Sequence, residues 1–275
     1  MKFQEQRDYL INGSWDEHLS PLDRGLAYGD GVFRTLAVEN RMPLNWKGHY
    51  AKLKADCDAL HIDCPESSLL LDDIARLFAH HKDKAVAKII ITRGIGARGY
   101  AIQDQMPSNR IVLRSPYPQL PQEYFDQGVR LTVCQLRLSH QPKLAGVKHL
   151  NRLENVIARS EWSDVRFADG ILLDVDQNVI ECTMSNLFIR NGTVLKTPDL
   201  TRCGVSGVTR QKILDLAPAM GYQVEISDIA LNDLFEAEEV LICNSLIGVW
   251  QVRQIEQKQW PLDSTASCLR TRLLE

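Results

Sequence analysis

The segment LAGVKHLNRLENV, Leu144 to Val156, sets Lys148 between an apolar run and a dense polar set of His149, Asn151, Arg152, Glu154 and Asn155. A lysine becomes a nucleophile or a base when burial or nearby cations disfavour its ammonium form. A lysine at a strand-to-helix junction is otherwise an ordinary solvated charge, so the neighbouring motifs decide between the two readings. IECTMSNLF (180–188) places Glu181 near a strand end among apolar neighbours. An ionised carboxylate there needs a cationic partner, in a plain salt bridge or in a site. CGVSGVTRQKILDLA (203–217) sets glycines and hydroxyls just ahead of a helix. Free N–H groups and the helix dipole can converge there on an anion, although a helix simply capped by Ser206 fits the same residues. RGIGARGY (93–100) contains G-x-G-x-x-G after a strand, but the chain runs on into a proline and another strand, which argues against a dinucleotide fingerprint. What remains is a glycine-bent loop presenting Arg93, Arg98 and Tyr100, a set suited to carboxylates or to a plain basic surface.

These residues need elements to hold them. The first expected element is a hairpin, with Tyr9–Ile11 entering an Asn12–Gly13 turn and Trp15 on the return. SPLDRGLAYGDGVFRTLAVEN (20–40) carries glycines at 25, 29 and 31 before a strand, which implies close backbone approach. Helical spacing marks 48–60 and 67–80, and strands are expected at 86–93 and 111–118. The proline-rich PYPQLPQ breaks the pattern, so a smaller N-terminal α+β domain (1–115), a linker (116–122) and a larger C-terminal domain (123–275) carrying Lys148 are expected. Strands at 128–138, 170–198 and 239–252 cluster instead of alternating with helices at 149–163, 207–220 and 262–274. That arrangement is α+β.

Composition narrows the function classes. The chain has 275 residues, 44% hydrophobic and 24% charged, with a net charge of −3, so a basic nucleic-acid footprint is missing and a small-molecule partner is expected. Seven scattered cysteines, none in C-x-x-C spacing, read as reduced thiols, and no H-E-x-x-H or other metal spacing occurs. The opening MKFQEQRDYLING lacks a signal peptide's apolar region, and no run approaches the roughly 18 apolar residues that span a bilayer. A cytoplasmic protein without a membrane partner is the expectation.

RGLAYGDGVFRT, the central lysine, ECTMSNLF and SGVTR follow one another in an order that resembles the fold-type IV pyridoxal-phosphate enzymes, over nearly the whole chain. That family includes branched-chain and D-amino-acid aminotransferases and 4-amino-4-deoxychorismate lyases, and LAGVKHLNRLENV is most similar to the lyases. The resemblance implies two domains with the active site at their interface, a homodimer, and pyridoxal 5'-phosphate as cofactor. It makes Lys148 the Schiff-base lysine and general base, and Glu181 the acid facing the pyridine nitrogen. Val208, Thr209 and Ser245 become the phosphate-binding set. The implied reaction turns 4-amino-4-deoxychorismate into 4-aminobenzoate and pyruvate in folate biosynthesis, with Arg98, Arg93, Tyr100, Thr35 and Tyr28 around the substrate. The competing readings are a D- or branched-chain amino-acid aminotransferase and a cofactor-free binding protein. Two positions depart from the family. Lys52, which the resemblance puts in the cofactor-binding set, stands where H-x-x-R-L carries a phosphate-gripping arginine, and Leu153 stands where aminotransferases often carry a tyrosine.

Overall fold

A computed structural model describes residues 8–103 and 106–274. Most of the opening MKFQEQRDYLING, expected to lack a signal peptide's apolar region, lies outside the described residues. Among the described residues no helix is long and apolar enough to cross a membrane. The chain divides into two compact units, residues 1–118 with 148–151, and residues 119–147 with 152–275.

The first unit contains β1 (Tyr9–Ile11), α1 (Arg24–Tyr28), β2 (Gly31–Glu39), β3 (Met42–Pro43), α2 (Trp46–Ala59), α3 (Ser67–Leu77), β4 (Ala85–Thr92) and β5 (Asn109–Pro116). Its five-stranded sheet runs β1-β5-β4-β2-β3, and all its pairs are antiparallel. The expected opening hairpin is reduced to its turn, closed by two hydrogen bonds exchanged between Ile11 and Ser14. Asn12 and Gly13 do turn, at φ 51° and 79°, but β1 pairs with β5, and the return contributes only an Ile11–Ser14 bridge. Pairing with β5 buries Leu10 completely, which a two-stranded ribbon would not do. The glycine-rich segment contains the short helix α1, capped by Asp23 through the N–H groups of Gly25 and Leu26. Gly29 ends that helix at φ 67°, and a Cβ there would stand 2.5 Å from the Asn151 side chain. Buried Leu53, Leu70, Ile74, Leu77, Ile89 and Ile91 supply the core of this unit.

The second unit contains α4 (Gln122–Asp126), β6 (Val129–Leu138), α5 (Leu153–Arg159), β7 (Phe167–Asp174), β8 (Val179–Cys182), β9 (Asn186–Asn191), β10 (Val194–Thr197), α6 (Val208–Leu216), β11 (Gln223–Ile226), α7 (Leu231–Glu236), β12 (Glu239–Asn244), β13 (Gly248–Ile255), β14 (Lys258–Gln259) and α8 (Thr265–Leu274). Its sheet runs β11-β10-β9-β12-β13-β6-β7-β8, with β14 on β13. One face of apolar side chains, including Leu131, Ile171, Leu187, Val240, Ile242 and Trp250, forms a single buried cluster. A second cluster packs Ile213 of α6 and Leu269 of α8 against Phe188 and Leu241.

The helix expected over 149–163 is confined to α5, because residues 148–150 are extended and bonded to β2. The Phe33 N–H donates to the Lys148 carbonyl at 3.0 Å, and the Leu150 N–H to the Gly31 carbonyl at 2.9 Å. For the same reason Lys148–Asn151 group with the first unit, where the sequence reading had the lysine within the second domain.

Candidate active site

In the first unit, Lys148 lies on the segment that flanks β2. Its main-chain N–H donates to Asp56 Oδ2 at 3.1 Å, and its Nζ stands 4.8 Å from the centre of the Phe33 ring. Phe33 and Thr35 are half-buried on one face of β2, and Thr35 pairs with Lys88, whose Nζ is 5.0 Å from the same ring. Val32, Arg34 and Leu36 are buried on the other face, as strand alternation requires. Asp56 and His49 of α2 are also buried. Burial, helped by the Arg34 and Lys148 cations, pulls the His49 imidazole down to about 3, so this ring is neutral near pH 7. Lys52 donates to Asp56 Oδ1 at 2.9 Å, one helical turn along α2.

The loop after β4 separates the three residues that the sequence put together. Arg93 is buried, and its donors go to both oxygens of Asp30 and to the carbonyls of Leu60 and His61, at 2.7 to 3.0 Å. It braces the loop, with its donors turned to these internal partners where the sequence suggested a substrate carboxylate. Arg98 is exposed, and Tyr100 is exposed with its ring 5.3 Å from that of Tyr28. The sequence reading missed Arg24. It is buried, bonds Asp30 at 2.8 Å, and donates to the carbonyls of Gly99 and Tyr100 at 3.0 and 3.2 Å, shaping the loop that presents Arg98. Burial alone would raise the Asp30 carboxyl, but hydrogen bonds from Arg93 and Arg24 bring it below the usual range.

In the second unit, β8 carries Glu181, 4% exposed, with Oε2 accepting from the Val205 N–H at 2.8 Å. The 204–206 strip is bonded to Gly146, through Gly146 N–H to the Gly204 carbonyl and Ser206 N–H to the Gly146 carbonyl. Asn186, also unremarked in the sequence reading, closes the turn: it donates to the Val205 carbonyl at 2.8 Å and accepts from the Gly207 N–H at 3.1 Å. The N-cap of α6 is Gly207, not Ser206, and no side chain caps the helix. A Cβ on Gly207 would lie 2.1 Å from Asn186 Oδ1, so only glycine lets Asn186 close this turn. Val208 and Thr209 open the helix, and the Thr209 hydroxyl is 3.4 Å from that of Ser245. An uncapped first turn with two hydroxyls beside it is a receptor for an oxyanion. Arg210, buried, pins α6 to the end of β10 through Thr197 Oγ1 and the Pro198 carbonyl.

Residues 31–255 match the family described as amino-transferase class IV. The chain belongs to that class IV family. Its class IV relatives include the aminodeoxychorismate lyase of Vibrio harveyi, 36% identical over 96% of this chain and 97% of that protein. They also include a D-alanine aminotransferase of Listeria monocytogenes, 26% identical over 86% of this chain and 82% of the other. The crystal structure of 4-amino-4-deoxychorismate lyase from Pseudomonas aeruginosa superposes with a TM-score of 0.92 at 43% identity, covering 96% of this chain and 97% of that one. The α+β architecture is therefore fold type IV.

Outside these class IV motifs, the described residues bring His140, Asp174 and Cys203 together, with ligand-type atoms within 4.8 Å of one another. Their separation in sequence hid this group. Asp174 accepts there from His140 at 2.9 Å and from the main-chain N–H groups of Asp176 and Asn178, so the carboxylate closes the β7–β8 turn. All seven cysteines are free thiols.

Proposed function

We propose that this class IV chain converts 4-amino-4-deoxychorismate to 4-aminobenzoate and pyruvate, using pyridoxal 5'-phosphate. The near-full-length likeness to lyases carries the reading. The residues fit the cofactor. The uncapped first turn of α6, with the Thr209 and Ser245 hydroxyls, suits its phosphate, and the buried Glu181 carboxylate suits a protonated pyridine nitrogen. Lys148 supplies the amine for its aldehyde. When bound, the cofactor provides an electron sink for the negative charge left as a proton departs from the amine-bearing carbon.

The protein's own groups do the remaining work. Lys148 Nζ would hold the cofactor's aldehyde and, once the substrate amine takes that place, would be the base for the proton on the amine-bearing carbon of the substrate. Glu181 would keep a proton on the pyridine nitrogen, so that the ring can withdraw electrons. The C–O bond on the adjacent carbon breaks, enolpyruvate leaves with the bonding pair and takes up the proton held on Lys148 Nζ to become pyruvate, and the ring left behind becomes aromatic; Lys148 would then hold the cofactor again as 4-aminobenzoate leaves. Arg98 receives a substrate carboxylate, while Thr35, Tyr28 and Tyr100 line the path of the ring. Val208, the first residue of α6, completes the cofactor set carried over from the sequence. In this reading the enzyme is a homodimer, which the exposed Leu22, Leu26, Ile95 and Ile102 support, because α1 with the turn before it and the loop after β4 expose these apolar side chains at 53 to 67%.

The test is a product assay on 4-amino-4-deoxychorismate with no added 2-oxo acid, comparing wild type with Lys148→Ala. Equal yields of 4-aminobenzoate and pyruvate, lost in the variant, are expected. A yellow protein that releases neither product, yet transfers an amino group once a 2-oxo acid is added, would make it an aminotransferase.

A further inference from the structure

The family's arginine position on α2 holds Lys52, and the structure offers a different guanidinium close by. Arg34 on β2 is 2% exposed. Its Nη2 donates to Asp56 and, at 3.3 Å, to the Lys52 carbonyl, while its Nε is buried without a hydrogen-bond partner. A buried guanidinium N–H without an acceptor costs stability, so a ligand that supplies one is favoured. Asp56, fully buried, gathers three donors: Arg34, Lys52 Nζ at 2.9 Å and the main-chain N–H of Lys148 at 3.1 Å. One carboxylate thus faces two cations. His49, the neighbouring titratable group on α2, adds no charge near pH 7, and its Nδ1 is also buried without a partner. The cluster beside the Lys148 main chain is net cationic and short of acceptors, which is the chemistry an oxyanion satisfies.

We infer that Arg34, and not Lys52, supplies the guanidinium that grips the cofactor phosphate in this chain. Lys52 is tethered to Asp56 as a counter-charge that keeps the carboxylate in place, and Asp56 orients the Arg34 fork next to Lys148. The inference rests on the pyridoxal-phosphate reading above and names a residue which that reading leaves out.

The experiment titrates the full chain, stripped of cofactor, with pyridoxal 5'-phosphate and separately with pyridoxal, following absorbance. Both aldehydes can react with Lys148, and only one carries the phosphate. Arg34→Gln should weaken the phosphorylated ligand about 10- to 100-fold, the range for losing a charge-assisted hydrogen bond, and leave pyridoxal within about twofold. Lys52→Ala should leave both ligands within about threefold. Adding Lys52→Arg to Arg34→Gln should restore most of the lost affinity. Equal weakening of both ligands by Arg34→Gln would mean a purely structural arginine, and a selective loss in Lys52→Ala alone would return the role to Lys52. Either result overturns the inference. Should Arg34→Gln fail to fold, Arg34→Lys keeps the charge for Asp56 and loses the fork, and an unchanged preference for the phosphorylated ligand in that variant is equally fatal. Wild-type protein that binds neither aldehyde, or that borohydride labels elsewhere than Lys148, would remove the underlying reading instead.

Discussion

His49 and Glu181 show how burial and partners set the state of single groups. Protonating His49 in the folded chain requires a pH near 3, against about 6.5 in the unfolded chain. Between those values the unfolded state binds the extra proton, so this residue's contribution to stability is intact above pH 6.5 and falls as the pH drops toward 3. The slope is about 1.4 kcal/mol per pH unit. Denaturant midpoints measured from pH 7 to pH 4 should fall less steeply in His49→Gln than in wild type. Glu181→Gln is expected to fold, because the amide oxygen can still accept from the Val205 N–H. In the proposed role it loses the charge that would keep a pyridine nitrogen protonated. Turnover should drop at least tenfold, about 1.4 kcal/mol of barrier, with cofactor affinity changed less. A drop in affinity alone, at unchanged turnover, would contradict the assigned role.

Turns and helix starts decide how much of the site a sequence can convey. Lys148, Glu181, Thr209 and Ser245 can be proposed from the sequence because each stands in a local motif. Asn186, Arg24 and Arg34 cannot, because their partners Gly207, Asp30 and Asp56 are brought to them by folding. Arg93 failed as a ligand candidate for the same reason, since the carbonyls that occupy it lie more than 30 residues upstream. Among elements, α2, β4, β6 and α8 follow their periodicity closely, whereas α5 is shorter than its pattern because β2 captures residues 148–150 as an extended edge. Tertiary pairing there outweighs helix propensity. The turn before α6 gives a direct test of element geometry. Gly207→Ala should destabilise the protein by about 1–3 kcal/mol, read from denaturant midpoints, because the new methyl displaces Asn186. It should also weaken pyridoxal 5'-phosphate binding more than pyridoxal binding, since the N–H groups opening α6 move with the turn.

Assembly is the least legible level, because apolar surface for a partner looks in sequence like apolar surface for a core. Leu26 on α1 is 67% exposed, so most of its side chain is not used in the core. Leu26→Glu should leave the melting temperature of the subunit nearly unchanged while shifting the elution of a dimer toward the monomer by at least a tenfold loss in association. A variant that elutes as wild type would separate this patch from self-association.

The four residues Lys148–Asn151 pack with the first unit although the chain on both sides of them belongs to the second. A gene fragment ending at the proline-rich linker would therefore encode a sheet lacking the edge that bonds Gly31 and Phe33. A chimera joined at that linker would import its lysine segment from one parent while keeping Asp56 and Phe33 from the other. The two halves are not exchangeable cassettes, and natural recombinants should survive only where residues 31–56 and 144–151 share one ancestry.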